Sequence, residues 1–342
     1  MIEVGRTLYI LNNKTYINSD HDCFIVKSGN GNAQRIPFKL IQQVVIFGGT
    51  TITDFFLRAC VSNGILVSYV SQYGVYYGGF RGKTIGNILL RKRQYALYDD
   101  VTSRLSIAKN ILLGKAVNQS SVLLTAARNS SVDKKETLVS AAASIGRILG
   151  DLQNADSVDT VRGMEGSISN IYFSVFDSML KTEDDSLLFK TRSRRPPENY
   201  CNALLSFLYT MLNLNCISAL ETFGLDSYLG FLHEIHPGRE SLANDLIEEF
   251  RAPLVDHFVI TLINRQQINA SDFENDTEGI KLTEDSRKQL LTLWEEAKSR
   301  KVLFRLYKKE VPIRLLPFLQ AQLLSQYVRG DIPEYPPWIW EP

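Results

Sequence analysis

The chain has 342 residues, more than one typical domain holds, so two domains are expected. Hydrophobic residues make up 44% and charged residues 22% of the sequence, which are ordinary values for a globular protein and argue against global disorder. Because 38 Lys and Arg face 37 Asp and Glu, the formal net charge is only +1, and any surface for a polyanion must be local.

Compartment and redox state follow from the sequence. The first residues lack the basic start and apolar run of a signal peptide, and no stretch approaches the ~20 apolar residues of a membrane span. We therefore expect a cytoplasmic protein with no membrane contact. The cysteines are Cys23, Cys60, Cys201 and Cys216. Their wide spacing forms no Cys-x-x-Cys pair, which predicts reduced thiols rather than a zinc site or disulfides.

Short β-rich runs separated by turn residues fill the N-terminal part. They lie at residues 7–11, 23–27, 43–47 and 65–70. This pattern predicts an antiparallel β domain over residues 1–85. One helix is predicted within it at residues 54–63, with Thr51 or Thr53 as the N-cap and Gly64 as a left-handed C-cap.

Beyond Gly86 the apolar residues follow a helical period. Predicted helices lie at residues 89–118, 121–128, 132–152, 158–180 and 201–222. The expected fold class is α+β, with a small antiparallel β-rich N-terminal domain followed by a larger all-α catalytic domain over residues 86–342. The tail at residues 332–340 contains Tyr-Pro-Pro-Trp and cannot be helical, so it either docks on a partner or folds back over its own domain.

Glu165 falls inside the apolar stripe of the predicted helix at residues 158–180. A buried carboxylate needs a cation, a hydrogen-bond donor or a metal ion. A structural salt bridge with Arg162 or Arg195 would satisfy it equally well.

A second group of candidate ligands surrounds the Pro237-Gly238 turn. Asp245 and Glu248 lie three residues apart on the helix that follows, for which Ser241 is the predicted N-cap. His233 precedes the turn and can supply an imidazole beside the two carboxylates.

Carboxylate oxygens with one imidazole nitrogen suit Mg²⁺ or Mn²⁺ better than a structural zinc ion. The alternative is structural, with Asp245 offsetting the helix dipole and Glu248 paired with Arg251 or Arg239. His236 is interpreted as a turn residue.

The segment from Gly230 to Arg251 contains Gly-Phe-Leu-His, Pro-Gly-Arg, Ser-Leu, Asp-Leu and Glu-x-Phe-Arg in that order. It resembles the signature of the CRISPR-associated endonuclease-integrase family, the universal first core protein of spacer acquisition. The likeness covers nearly the full length, including Arg-Gly-Met-Glu ending at Glu165 and Phe-Lys-Thr-Arg ending at Arg192. It suggests the branch that accompanies type I systems of the C-like kind.

The resemblance implies a catalytic metal centre. Glu165, His233 and Glu248 occupy the family's catalytic and metal-ligand positions, and Asp245 occupies a supporting acidic position. The implied chemistry is phosphodiester cleavage and transesterification with Mg²⁺ or Mn²⁺, inserting foreign DNA into the CRISPR array.

The resemblance also implies partners. They are double-stranded DNA (the prespacer and the CRISPR repeat), a second copy of the chain joined through the β domain, and the small ferredoxin-like second core acquisition protein. The expected contacts to the DNA backbone come from Arg192, Arg194, Arg195 and Arg239. Three alternatives are a catalytically inactive DNA-binding scaffold, a stand-alone transposon-type integrase of the same fold, and a metalloenzyme acting on small molecules.

Overall fold

The computed structural model describes residues 6–11, 14–27, 33–82, 88–193, 197–276 and 279–342. The chain divides into two compact units, the first made of Met1–Ile85 with Lys281–Leu316 and the second of Gly86–Ile280 with Pro317–Pro342.

The strands are β1 (Arg6–Ile10), β2 (Tyr16–Asp20), β3 (Cys23–Lys27), β4 (Ala33–Pro37), β5 (Ile41–Phe47), β6 (Thr51–Ile52), β7 (Leu66–Val70), β8 (Tyr76–Phe80), β9 (Phe273–Asp276), β10 (Gly279–Leu282), β11 (Lys301–Phe304) and β12 (Lys309–Pro312). The helices are α1 (Asp54–Ser62), α2 (Ile88–Asp99), α3 (Val101–Ala127), α4 (Val132–Gly150), α5 (Val158–Ser174), α6 (Tyr200–Thr222), α7 (Ser241–Phe250), α8 (His257–Asn264), α9 (Glu284–Ser299) and α10 (Leu316–Arg329). A strand-rich N-terminal region therefore precedes a mostly helical remainder, which confirms the predicted fold class at that level.

The first unit contains two four-stranded sheets, ordered β1-β5-β7-β8 and β4-β3-β2-β6. They are not purely antiparallel as predicted, because β5 pairs with both β1 and β7 in parallel and β2 pairs with β6 in parallel. The chain passes from β5 to β7 through α1, and such a helical crossover returns the next strand in the same direction. The sequence analysis predicted this helix but did not infer from it that the strands on either side run parallel.

The segment Lys281–Leu316 belongs to the first unit, whereas the sequence analysis assigned it to the all-α domain. Long-range contacts of α9 explain the difference. The Tyr9 hydroxyl donates to Glu295 at 3.0 Å, and Arg287 donates to the Gln72 carbonyl at 3.2 Å. The Arg287 guanidinium also lies over the Phe47 ring. Contacts between residues more than 200 positions apart leave no local pattern in the sequence.

Helix α1 begins at Asp54 as the sequence predicted and ends at Ser62, one residue before the predicted end. The Thr53 hydroxyl accepts a hydrogen bond from the Phe56 backbone N–H at 3.1 Å, and Gly64 adopts a φ of 65° just beyond the helix. In the second unit the predicted break near residue 120 is wrong. The helix break lies instead at Asp100, whose carboxylate caps α3 by accepting from the Ser103 N–H.

Helix α7 runs through a π-helical turn, Arg251–Asp256, into α8. Pro253 lies in that turn and has no backbone N–H to give to a regular helix. Such turns are frequent near functional sites.

Helix α6 is long and apolar enough to cross a membrane by length and composition, although the sequence analysis identified no such run. Most of α6 is buried within the second unit, which is how the core helix of a globular domain behaves.

The N-cap of α1 can be tested by replacing Thr53 with alanine. We expect Thr53→Ala to lower the free energy of unfolding by about 1 kcal/mol, because the Phe56 N–H loses its acceptor. The matched control is Ser131→Ala, because Ser131 precedes α4 without a side-chain capping bond. Equal losses for the two variants in chemical denaturation would contradict the assignment.

Candidate active site

Two carboxylates and a lysine meet inside the second unit. Glu165 comes from α5, Glu248 from α7 and Lys115 from α3. The Lys115 ammonium contacts Oε1 of Glu165 and lies 2.8 Å from Oε2 of Glu248. The Glu248 and Lys115 side chains are 1% and 5% exposed, whereas that of Glu165 is 25% exposed. Glu248 is therefore the more deeply buried of the two carboxylates, and Glu165 lies nearer to solvent.

Asp245 fixes the position of His233. It is fully buried and accepts hydrogen bonds from the backbone N–H groups of Phe231, Leu232 and His233 at 2.5, 3.0 and 2.8 Å. The Nδ1 atom of His233 lies 2.7 Å from the same carboxylate. An Nδ1–H bonded to Asp245 leaves the lone pair of Nε2 available, and Nε2 lies 4.0 Å from Oε1 of Glu248.

The loop before α7 passes very close to that helix. A Cβ atom on Gly230 would lie 2.8 Å from the Ser241 backbone, so only glycine fits there. The Ser241 hydroxyl donates to the Glu234 carbonyl at 2.7 Å, and the residue at the N-cap position is Glu240. The prediction of Ser241 as N-cap is therefore wrong, since its hydroxyl holds the loop instead.

Arg251 supplies the main counter-charge to Glu248. Its Nη1 lies 2.9 Å from Oε1 of Glu248, one turn away in sequence. Burial alone would raise the pKa of Glu248, but the positive charges of Arg251 and Lys115, the two largest opposing causes, lower it to about 2. Glu248 is therefore ionised at any pH at which the protein would work, as a cation ligand must be.

Glu249, the next residue on α7, points away from this site toward the C-terminal tail. The Tyr335 hydroxyl and Gln320 Nε2, at 2.9 Å, donate to its carboxylate, as does the Trp338 backbone N–H at 2.7 Å. Burial raises the pKa of Glu249 to about 7, with these three donors lowering it in part. Tyr335 and Trp338 are buried, so the tail folds back over its own unit, the second of the two outcomes predicted for it.

The predicted DNA contacts differ in how far they reach the surface. Arg192 donates to Asn202 at 2.8 Å and to Ser206 at 3.1 Å and lies over the Tyr209 ring, which ties its loop to α6. These internal contacts give Arg192 a structural role that the basic cluster did not indicate. Arg239 is exposed in the turn before α7. Arg194 and Arg195 lie outside the described residues.

The structural alternatives weighed for the acidic residues are partly realised. Glu248 pairs with Arg251, as one alternative required, but Arg162 pairs with Asp159 and Glu234 rather than with Glu165. The Arg162 Nε also donates to the Leu232 carbonyl at 2.8 Å and so helps to fix the His233 loop. His236 is exposed beside the Pro237 carbonyl, as expected of a turn residue.

The sequence analysis missed Lys115, although a signal was present. Lys115 lies four residues after Ile111 and three after Leu112, on the buried stripe of α3. A charged residue on an apolar stripe was the criterion that identified Glu165, and the same criterion applied to α3 would have found Lys115.

The donor set suits a divalent metal ion, but its present arrangement does not. Oε2 of Glu248 is buried and faces the Lys115 ammonium at 2.8 Å, and Nε2 of His233 is the ring nitrogen that faces Glu248. Across the described ranges, however, no three carboxylate, imidazole or thiol groups are close enough to hold a metal ion together. The Lys115 ammonium lies between Glu165 and Glu248 and contacts one oxygen of each.

Comparisons with known proteins agree over nearly the whole chain. The family described as CRISPR associated protein Cas1 matches residues 8–296. A CRISPR-associated endonuclease Cas1 from Rhodospirillum rubrum is 38% identical over 100% of both chains, and one from Chlorobaculum tepidum is 35% identical over 98% of each.

Solved structures share the fold. A Cas1 protein from Thermotoga maritima has a TM-score of 0.82 at 23% identity, covering 98% of this chain and 100% of that one. A casposase bound to its integration product has a TM-score of 0.83 at 22% identity, covering 97% and 92%. A Cas6-RT-Cas1–Cas2 complex contains a chain with a TM-score of 0.84 at 23% identity, of which this chain covers 37% while matching over its full length.

The relatives of matching length place the protein among the CRISPR-associated endonucleases. The chain belongs to the Cas1 family.

We expect Asp245→Asn to lower the free energy of unfolding by about 3 kcal/mol, because the amide puts a donor against buried backbone N–H groups. The control Asp159→Asn alters a carboxylate that is 83% exposed and should change stability by less than about 1 kcal/mol. Similar denaturation curves for the two variants would show that Asp245 does not anchor the loop.

Tyr335→Phe tests the attachment of the tail. At pH 8, where Glu249 is largely ionised, loss of the Tyr335 hydroxyl should cost about 1–3 kcal/mol of stability. Because folding raises the pKa of Glu249, the carboxyl is protonated well below pH 7, so the deficit should shrink at pH 5.5. Tyr307→Phe, at a residue 38% exposed, should show no such pH dependence. A deficit that is the same at both pH values would be contrary to this assignment.

Proposed function

We propose that the protein is a metal-dependent DNA endonuclease and integrase that inserts foreign DNA into a CRISPR array, with Glu165, His233 and Glu248 at its catalytic centre. The observation that carries the proposal is that Glu165 and Glu248 share the Lys115 ammonium while Nε2 of His233 lies 4.0 Å from Oε1 of Glu248, in a chain of the Cas1 family. Asp245 is assigned to positioning His233 and not to holding a metal, because its oxygens accept four N–H groups.

The chemistry proposed is attack on a phosphodiester by water or by the 3′-hydroxyl of a DNA fragment. A bound Mg²⁺ or Mn²⁺ would lower the pKa of the nucleophile and neutralise the phosphate. Glu165, Glu248 and Nε2 of His233 would hold the ion, with Asp245 keeping the imidazole in the tautomer that has a lone pair on Nε2. Arg251 keeps the Glu248 carboxylate ionised and oriented.

Two of the three proposed ligands reach solvent. The His233 side chain is 21% exposed and that of Glu165 is 25% exposed, whereas Glu248 lies beneath them. A phosphate approaching from solvent would therefore reach Glu165 and His233 first. The exposed Arg239 is the described residue proposed to hold the DNA backbone by charge-assisted contacts.

Proposed partners are DNA, a second copy of the chain and the small second core acquisition protein. The casposase bound to an integration product and the complex that contains Cas2 support DNA and Cas2 as partners of this chain. Dimerisation through the first unit and the ferredoxin-like fold of the small partner rest on the family resemblance.

The test is strand joining. A short duplex with 3′-hydroxyl ends is incubated with a supercoiled plasmid carrying the repeat, the small partner and Mn²⁺ or Mg²⁺. We expect Glu165→Gln and Glu248→Gln each to reduce joining by about 100-fold or more, because each removes a charged ligand. Chelation with EDTA should abolish joining by the unmodified protein.

The control is Glu136→Gln, an exposed carboxylate on α4, which should retain full activity. DNA binding by Glu248→Gln, measured in parallel, separates loss of chemistry from loss of binding. Full joining by both ligand variants would refute the assigned centre and leave the acidic cluster a structural role.

A further inference from the structure

Lys115 occupies the position where a cation between Glu165 and Glu248 is expected. Its ammonium contacts Oε1 of Glu165 and lies 2.8 Å from Oε2 of Glu248, and its side chain is 5% exposed. Oε1 of Glu165 also accepts a hydrogen bond from the Ser169 hydroxyl at 2.9 Å, so Lys115 supplies the charge and Ser169 a neutral donor. Arg251 compensates Glu248 from the other side, through Oε1.

The backbone of α3 brings Lys115 into this position. Gly114 precedes it, and a Cβ atom on Gly114 would lie 2.9 Å from Pro337 and 3.1 Å from Glu249. The absence of that atom lets α3 approach both α7 and the tail closely. This close approach brings the Lys115 side chain to the two carboxylates. Helix α3 itself supplies none of the proposed metal ligands.

We propose that Lys115 is an internal counter-ion that pairs the two carboxylates in the metal-free protein and must be displaced before a divalent cation can use them both. The inference rests on the metal centre proposed above and adds a competitor to it. An ammonium and a dication repel each other and require the same oxygens, so one of them must leave. Oε2 of Glu248 is the oxygen that faces Lys115, at 2.8 Å, whereas Oε1 faces Arg251, so a cation that uses Oε2 competes with Lys115 directly.

The competition has a measurable consequence. When a binding-competent state is only partly populated, the apparent dissociation constant equals the intrinsic one divided by the competent fraction. If Lys115 pairs with the carboxylates in about nine of ten molecules, its removal should tighten Mn²⁺ binding about tenfold. The same removal leaves two neighbouring carboxylates with less compensation, so the metal-free protein should melt at a lower temperature.

The experiment compares Lys115→Met with the unmodified full-length protein after treatment with EDTA and removal of the chelator. Mn²⁺ binding is measured by the electron paramagnetic resonance signal of free Mn²⁺, and the melting temperature is measured with and without the ion. We expect a lower metal-free melting temperature, a larger rise on adding Mn²⁺, and about tenfold tighter binding.

Lys109→Met is the matched control, because Lys109 lies on the same helix and donates to the Gln153 carbonyl at 2.9 Å, away from the carboxylates. It should bind Mn²⁺ as the unmodified protein does. If Lys115→Met folds poorly, Lys115→Met combined with Glu165→Gln removes one charge of each sign and should recover much of the lost metal-free stability, as expected for a coupled pair.

The outcomes separate this proposal from the proposed metal centre. Equal or weaker Mn²⁺ binding by Lys115→Met, beside clear binding by the unmodified protein, would overturn the counter-ion and leave the centre intact. No Mn²⁺ binding by any variant would overturn both. Mn²⁺ binding by Lys115→Met, with none by the unmodified protein, would show that Lys115 blocks the site completely.

Discussion

The arrangement of the site depends on one buried carboxylate. Asp245 has no contact with solvent and compensates its charge with three consecutive backbone N–H groups and the Nδ1 atom of His233. Hydrogen bonds to a charged acceptor are stronger than neutral ones, and a buried carboxylate without them would be very costly. The carboxylate therefore determines both the path of the loop and the orientation of the imidazole.

Helix α7 presents adjacent carboxylates to different surroundings. Glu248 faces Lys115 and Arg251, which hold it ionised, whereas Glu249 faces the aromatic tail, where burial raises its pKa to about 7. Residues adjacent in a helix point about 100° apart, so one helix can serve a reactive face and a structural face. Helix α3 contacts both faces of α7: Lys115 lies beside Glu248, and Gly114 lies beside Glu249.

Features that depend on local pattern were predictable from the sequence. The caps of α1 and the candidate role of Glu165 follow from residue type and spacing, and the strand-rich then helical order follows from periodicity. Features that depend on long-range contact were not predictable in this way. Two of these features depend on partners far away in sequence: the parallel strands and the return of α9 to the first unit. Two others depend on partners across a loop: the internal contacts of Arg192 and the bond from the Ser241 hydroxyl to the Glu234 carbonyl. The residues around the turn indicated His233, and the family resemblance agreed with them, but the resemblance gave no indication of Lys115.

The central claim is that a divalent cation is held by Nε2 of His233 together with the two glutamates. The most direct measurement is pulsed electron paramagnetic resonance of the Mn²⁺-loaded protein, in which a directly bound imidazole nitrogen modulates the electron spin echo. We predict that the modulation is present in the unmodified protein, absent in His233→Gln and retained in His236→Gln, whose histidine is exposed in the turn. Nitrogen modulation that persists unchanged in His233→Gln would contradict the account.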